Sequence, residues 1–236
     1  MTKTLLKDAS VQIDDYFGFM IIDDLLTSTD RERLHAHVIQ DSFFYENSFE
    51  WNRVWHPLSG MALLTGPRSY GATGKPGPRF PTDTAYDLFF EAVGHRLEII
   101  GEFLRLGSEE VRYVMSAYLY RSGWGLPWHE DIGQESEYKG AFTYYLHDRW
   151  RGNWGGELMI LADERVGQGS AGAIDLAFAQ GTGLRSPSSV ENGVGTFIFP
   201  KSNRLVVMRP KVLHSVNPVS DLAGENMRFS LAGFYL

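Results

Sequence analysis

VRYVMSAYLY (Val111–Tyr120) opens a series of short runs rich in β-branched and aromatic residues. GAFTYYL (Gly140–Leu146), GGELMIL (Gly155–Leu161), GTFIFP (Gly195–Pro200), NRLVVM (Asn203–Met208) and MRFSLAGFYL (Met227–Leu236) follow it. Glycine and proline punctuate the runs and no helical pattern intervenes, which predicts antiparallel strands in a sandwich or barrel rather than a βαβ fold. Upstream, TDTAYDLFFEAVGHRLEIIGEFLRLG (Thr82–Gly107) repeats Tyr86, Phe89, Phe90, Val93, Leu97, Ile100, Phe103 and Leu104 at three- and four-residue steps. One helix is predicted there, capped by Thr82 or Asp83 and stopped by Gly107 in the left-handed conformation. Its apolar stripe needs a surface to cover, and a sheet face is the natural one.

Further toward the N-terminus, YFGFMIIDDLL (Tyr16–Leu26) reads as a strand, and TSTDRERLHAHVIQ (Thr27–Gln40) as a capped helix with Leu34, His37 and Val38 at helical spacing. Asp41–Pro81, dense in Trp, Gly and Pro, reads as a long loop lying over a pocket. Val166–Gly193 is glycine-rich and poor in apolar residues, so it reads as a surface excursion. Neither a repeat nor a dividing linker is visible. The expected organisation is one domain over residues 1–236, mainly β with flanking helices, in which 1–110 support a β-core at 111–236.

Composition narrows the chemistry. A hydrophobic share of 43% with 14% aromatics excludes a disordered chain. No run approaches the about 18–20 apolar residues of a membrane span. The absence of cysteine removes disulfides, thiolate metal sites and cysteine nucleophiles. A net charge of −7 and no basic run argue against a nucleic-acid partner. MTKTLLKDASVQIDD turns acidic too early for a secretory core, so a cytoplasmic protein is expected.

WHED (Trp128–Asp131) carries the first chemical signal. In an extended segment, side chains two apart point the same way, so His129 and Asp131 converge while Glu130 turns away. An imidazole and a carboxylate suit a borderline divalent metal, and a histidine from a distant strand would complete a facial triad with open positions. Such a triad serves Fe(II) enzymes that need room for a chelating cosubstrate and dioxygen. His-x-Asp alone is weak, because chance supplies about one such pair in a chain of this kind. His214, in VLHSVNPVS, lies at a strand end and is the third candidate. Fourteen residues later, Arg228 and Ser230 share one face of the last strand with the small Ala232. A guanidinium and a hydroxyl beside so little bulk make a pocket for a carboxylate.

At these residues the chain resembles the Fe(II)/2-oxoglutarate-dependent oxygenases, in particular their prolyl-4-hydroxylase-like branch. The resemblance is carried, in order, by YLYRSGWGLPWHED (Tyr118–Asp131), AFTYYLHDRW (Ala141–Trp150), WGGELMIL (Trp154–Leu161), LVVMRPKVLHSVNPV (Leu205–Val219) and MRFSLAGFYL (Met227–Leu236). It implies a double-stranded β-helix, or jelly-roll, core with iron held by His129, Asp131 and His214. It also implies that Arg228 binds the distal carboxylate of 2-oxoglutarate, the cosubstrate consumed with O2. Tyr145 matches a tyrosine that assists the same carboxylate, and Ser230 matches the serine of an Arg-x-Ser pattern. Tyr120 matches a second cosubstrate contact, with Tyr118 on the same face as its alternative. Related halogenases have Gly or Ala where this chain has Asp131, so the resemblance implies hydroxylation, or another oxidation such as desaturation or ring formation, rather than halogenation.

The resemblance leaves the substrate open between a small molecule, which we favour, and a peptide of the prolyl type. The sequence does not speak to oligomeric state. A jelly roll of another class, a cupin-like isomerase or binding module, would share the fold. Other residues have plainer readings. His35 and His37 would point about 200° apart on a helix and cannot share a metal. His95 is expected at an exposed or boundary position, and His147 in a turn. His56 lies in the long loop and could reach substrate. Trp51, Trp55, Trp124, Trp128 and Trp154 could line a pocket or serve packing. Gly155–Gly156 lacks any phosphate-loop context and reads as close strand approach.

Overall fold

Alternation along the strands decides the architecture of the computed structural model, which describes residues 10–47, 62–70, 80–106, 113–131, 138–162 and 193–236. In chain order these form β1 (Val11–Asp14), β2 (Phe19–Asp23), α1 (Ser28–Val38), β3 (Phe44–Asn47) and β4 (Ala62–Tyr70). Then come α2 (Tyr86–Gly94), α3 (Leu97–Leu104), β5 (Tyr113–Tyr120), β6 (Leu126–Glu130), β7 (Gly140–Tyr145) and β8 (Leu158–Leu161). The chain continues through β9 (Gly195–Ile198), β10 (Arg204–Met208), β11 (Leu213–Val216) and β12 (Arg228–Tyr235). One antiparallel sheet has eight strands in the order β1-β2-β10-β7-β12-β5-β4-β3, and a second has four in the order β6-β11-β8-β9.

The central strands of the large sheet are apolar on both faces because both faces are covered. One set of side chains, including Met20, Ile22, Phe142, Tyr144, Leu205, Val207, Phe229 and Leu231, packs with Leu34, Val38, Phe89, Phe90, Val93, Ile100 and Phe103 of the three helices. The alternate set, Phe19, Ile21, Ala141, Tyr145, Val206 and Met208, meets Leu158, Ile160 and Ile198 of the small sheet. Burying each large apolar side chain is worth about 1.5–3 kcal/mol, so helices, large sheet and small sheet form three layers. The two sheets make the jelly roll. Among the described residues, no helix is long and apolar enough to cross a membrane.

α1 starts where expected, with the Thr27 hydroxyl accepting the Asp30 N–H at 3.1 Å. The helix expected over 82–107 is two helices, with α2 ending at Gly94 and α3 beginning at Leu97. An apolar period of 3.6 passes through such a break unchanged, since the same face stays buried on both sides. The start is capped in reverse: the Asp87 carboxylate accepts the N–H groups of Thr82 and Asp83. The left-handed residue that ends α3 is Arg105 (φ 57°); Gly107 lies outside the described residues.

The long loop expected over Asp41–Pro81 is partly sheet. β3 and β4 pair with each other, and β4 pairs with β5, extending the large sheet by two strands. Residues 48–61 and 71–79, with Trp51, Trp55 and His56, lie outside the described residues. So does the excursion expected at Val166–Gly193, apart from Gly193 itself. β2 occupies the middle of the strand expected over Tyr16–Leu26, preceded by a turn and by β1.

Candidate metal centre and cosubstrate pocket

β6 and β11 pair so that His129 and His214 stand directly opposite each other, their ring centroids 4.2 Å apart. Asp131 follows β6. Its Oδ1 lies 3.6 Å from His129 Nε2 and its Oδ2 3.4 Å from His214 Nε2. One ligand atom from each of the three residues falls within 4.8 Å of the others.

The backbone fixes which nitrogen faces inward. His129 Nδ1 lies 2.8 Å from the Pro127 carbonyl oxygen, and His214 Nδ1 lies 2.9 Å from that of Val212. A carbonyl oxygen only accepts, so each Nδ1 carries the proton and each Nε2 presents a lone pair toward Asp131. Burial, reinforced by the neighbouring His214, pushes the His129 pKa down to about 4 and keeps that imidazole neutral. Two imidazoles and one carboxylate on one side of a point fit a divalent iron with positions left for other ligands. Glu130, expected to face away from the pair, is not in the lining of the cavity and is buried elsewhere.

The same cavity, of ≈ 80 Å³, is lined by the triad and by Tyr118, Tyr120, Arg228 and Ser230. β12 lies between β5 and β7, placing Arg228 opposite Tyr120 and Ser230 opposite both Tyr118 and Tyr145. The guanidinium is 1% exposed and lies 5.0 Å from the ring centres of both Tyr120 and Tyr145. Its Nε donates to the Gly156 carbonyl at 2.8 Å and its Nη1 to Ser230 Oγ at 3.3 Å. Of the five N–H groups of an arginine, three remain, and Arg228 makes no ion pair among the described residues.

A buried cation without an ion-pair partner among the described residues is costly, and the surroundings of Arg228 suit an anion. The Tyr145 hydroxyl is likewise buried, with no well-aligned hydrogen-bond partner among the described residues. Burial raises the Tyr145 pKa, partly opposed by the nearby Arg228. Burial also raises Tyr120, to about 12, again against Arg228. Both phenols therefore stay protonated and can donate to a carboxylate. Tyr118 lines the cavity one step further from Arg228 on the same face; of the two, Tyr120 is the one stacked on the guanidinium.

Six of the seven residues singled out by sequence line one cavity: His129, Asp131, His214, Arg228, Ser230 and Tyr120; the seventh, Tyr145, is not in its lining but stands beside Arg228, its ring centre 5.0 Å from the guanidinium. His147 was expected in an ordinary turn. It is buried, with Nε2 2.7 Å from the Pro200 carbonyl oxygen and Nδ1 accepting the Phe229 N–H at 3.4 Å. Trp154 is buried near Tyr120 and Val216, whereas His95 is exposed at the α2–α3 break. His35 packs its ring on Phe229 and His37 on Tyr86. Sequence reading missed Gly156 as the arginine's carbonyl partner; its glycine pair was the available signal.

A buried arginine and a two-histidine, one-carboxylate group between jelly-roll sheets are the setting of the iron-dependent oxygenases. The chain belongs to the 2OG-Fe(II) oxygenase superfamily, whose sequence profile matches residues 115–236. It is an oxygenase using iron, 2-oxoglutarate and dioxygen. A search of curated proteins finds no match. Among solved structures, a prolyl-4-hydroxylase from Pseudomonas putida superposes with a TM-score of 0.55 at 19% identity, over 92% of this chain and 91% of that one. HygX from Streptomyces hygroscopicus, solved with nickel, 2-oxoglutarate and hygromycin B, gives 0.57 at 12% identity, over 94% and 83%. A prolyl hydroxylase from Trichoplax adhaerens, in complex with a hypoxia inducible factor peptide fragment, gives 0.54 at 16%, over 94% and 84%. At these identities each is a likeness of fold.

Proposed function

We propose that this oxygenase hydroxylates a C–H bond of a small molecule, with His129, Asp131 and His214 holding the iron and Arg228 the distal carboxylate of 2-oxoglutarate. The observation that carries the reading is the Arg228 guanidinium, buried with no ion-pair partner among the described residues in the cavity that the triad lines. When bound, iron and cosubstrate supply the oxidising chemistry, turning 2-oxoglutarate and dioxygen into succinate and carbon dioxide.

The chain supplies position and dryness. Arg228 offers its remaining N–H groups to the carboxylate as a planar fork. Tyr145 donates its buried hydroxyl beside it, Ser230 steadies Nη1 from the same strand, and Tyr120 covers the guanidinium. The carbonyls of Pro127 and Val212 hold both imidazoles in the ligating tautomer. Asp131 supports hydroxylation over halogenation, because its carboxylate takes the position that the related halogenases leave to chloride.

The abundance of aromatic residues, 14% of the chain, and the length of sequence between the core strands that is free to cover a pocket favour a small substrate over a peptide. The test is substrate-stimulated succinate release across small molecules and proline-containing peptides, with mass analysis of the products. A gain of one oxygen on a small molecule supports the reading. A gain confined to peptides, or a loss of two hydrogens in place of oxygen gain, overturns its substrate or outcome.

A further inference from the structure

Arg228 has a long, flexible stem, and bidentate recognition needs its fork held in one place. Ser230, which bonds Nη1, sits on the same strand and moves with it. The hydrogen bond that ties the guanidinium to another element is Nε to the Gly156 carbonyl, at 2.8 Å.

That carbonyl belongs to a tightly built shelf. Gly156 has φ +75°, and a Cβ there would stand 2.9 Å from Arg228 Cδ and 3.4 Å from Trp150 Cζ2. Gly155, at φ +70°, lies against the segment leading to β12, where a Cβ would come within 2.3 Å of the Pro218 carbonyl oxygen. The Gly155 carbonyl accepts the Trp150 indole N–H at 2.7 Å. The Trp150 ring packs on His147, with centroids 4.9 Å apart. His147 in turn accepts the N–H of Phe229, the residue after Arg228, and is anchored to the Pro200 carbonyl. The shelf therefore grips Arg228 twice, at its guanidinium through Gly156 and at its backbone neighbour through His147.

We propose that Gly156, Trp150 and His147 are positioning residues that set the place of the Arg228 fork, and so the affinity for 2-oxoglutarate, without touching the cosubstrate. The inference rests on the reading that Arg228 holds the distal carboxylate. Gly156→Ala displaces the arginine stem directly. Trp150→Phe keeps an aromatic ring but removes the donor to Gly155 and the indole edge that lies against Gly156, loosening the shelf without adding bulk to it.

The test measures 2-oxoglutarate binding by calorimetry in Mn(II)-loaded protein without oxygen, alongside Mn(II) affinity and the denaturation midpoint. Arg228→Met is the control. Misplacing a charge-assisted hydrogen bond should weaken 2-oxoglutarate roughly tenfold or more in Gly156→Ala, and by a smaller factor in Trp150→Phe. Mn(II) affinity should hold in both, and in turnover the KM for 2-oxoglutarate should rise far more than kcat falls. Should Gly156→Ala fail to fold, Trp150→Phe decides. Wild-type 2-oxoglutarate affinity in Trp150→Phe overturns the proposal, as does loss of Mn(II) and 2-oxoglutarate in equal proportion. Unchanged binding in Arg228→Met would instead refute the assignment of the arginine itself.

Discussion

Arg228→Met separates a cosubstrate arginine from a structural one, because the first role predicts a small change in the stability of the metal- and cosubstrate-free protein and the second a large loss. Methionine fills much of the aliphatic stem's volume between Tyr120 and Tyr145 but removes the guanidinium. Two hydrogen bonds go, and the buried Gly156 carbonyl loses its donor, which costs about 1–3 kcal/mol. Against this, a buried cation with no ion-pair partner is removed, a relief of several kcal/mol in comparable sites. The unliganded variant should therefore unfold within about 2 kcal/mol of wild type, in either direction. Binding behaves differently. Losing one partner of a buried charge pair costs about 2–5 kcal/mol, roughly thirtyfold to several thousandfold in 2-oxoglutarate affinity. Urea denaturation of the metal-free protein gives the first quantity, and anaerobic titration of 2-oxoglutarate into Mn(II)-loaded protein gives the second. Collapse of stability with near-normal cosubstrate affinity would refute the reasoning.

Three further outcomes are expected. Asp131→Ala and His214→Ala should each abolish 2-oxoglutarate turnover measured as succinate release; full activity in either excludes that residue as a ligand. Fe(II) should raise the thermal midpoint of the anaerobic protein by mass action, and chelation should reverse it; the shift should shrink as pH falls, because protons compete for the imidazoles. Burial lowers the His147 pKa from 6.5 to about 4, so below pH 6.5 the unfolded chain takes up its proton first. That residue should therefore cost the folded state roughly 3 kcal/mol as pH falls from 6.5 to 4. His147→Asn should flatten that part of the stability profile in urea melts at pH 7 and 4.5, and an unchanged slope would count against the burial argument.

The β-core was legible because its strands are buried on both faces, so runs such as NRLVVM stand out between glycines and prolines. β4 was hidden by its own Gly66-Pro67, which reads as a turn. Those residues fall where the β4–β5 register shifts between Thr65 and Arg68, and the strand continues past them. Gly66 also admits close contact: a Cβ there would lie 3.2 Å from the Phe43 ring. The metal group was legible from spacing and order, since a period of two puts His129 and Asp131 on one side. What orients the imidazoles was not, because the Pro127 and Val212 carbonyls act through local geometry rather than residue type. Nor was the stacking of Arg228 between two tyrosines, which depends on β12 entering between β5 and β7.

That placement has a consequence for how the molecule comes into being. β12 follows every other strand in sequence, yet in space it bridges β5 and β7 near the middle of the large sheet. Until it arrives, each of those strands offers an unpaired edge, a template for pairing with a neighbouring chain. A polypeptide emerging from the ribosome thus presents His129, Asp131 and His214 before Arg228. Closure of the sheet between β5 and β7 waits on the insertion of β12, and the two open edges invite aggregation until it occurs.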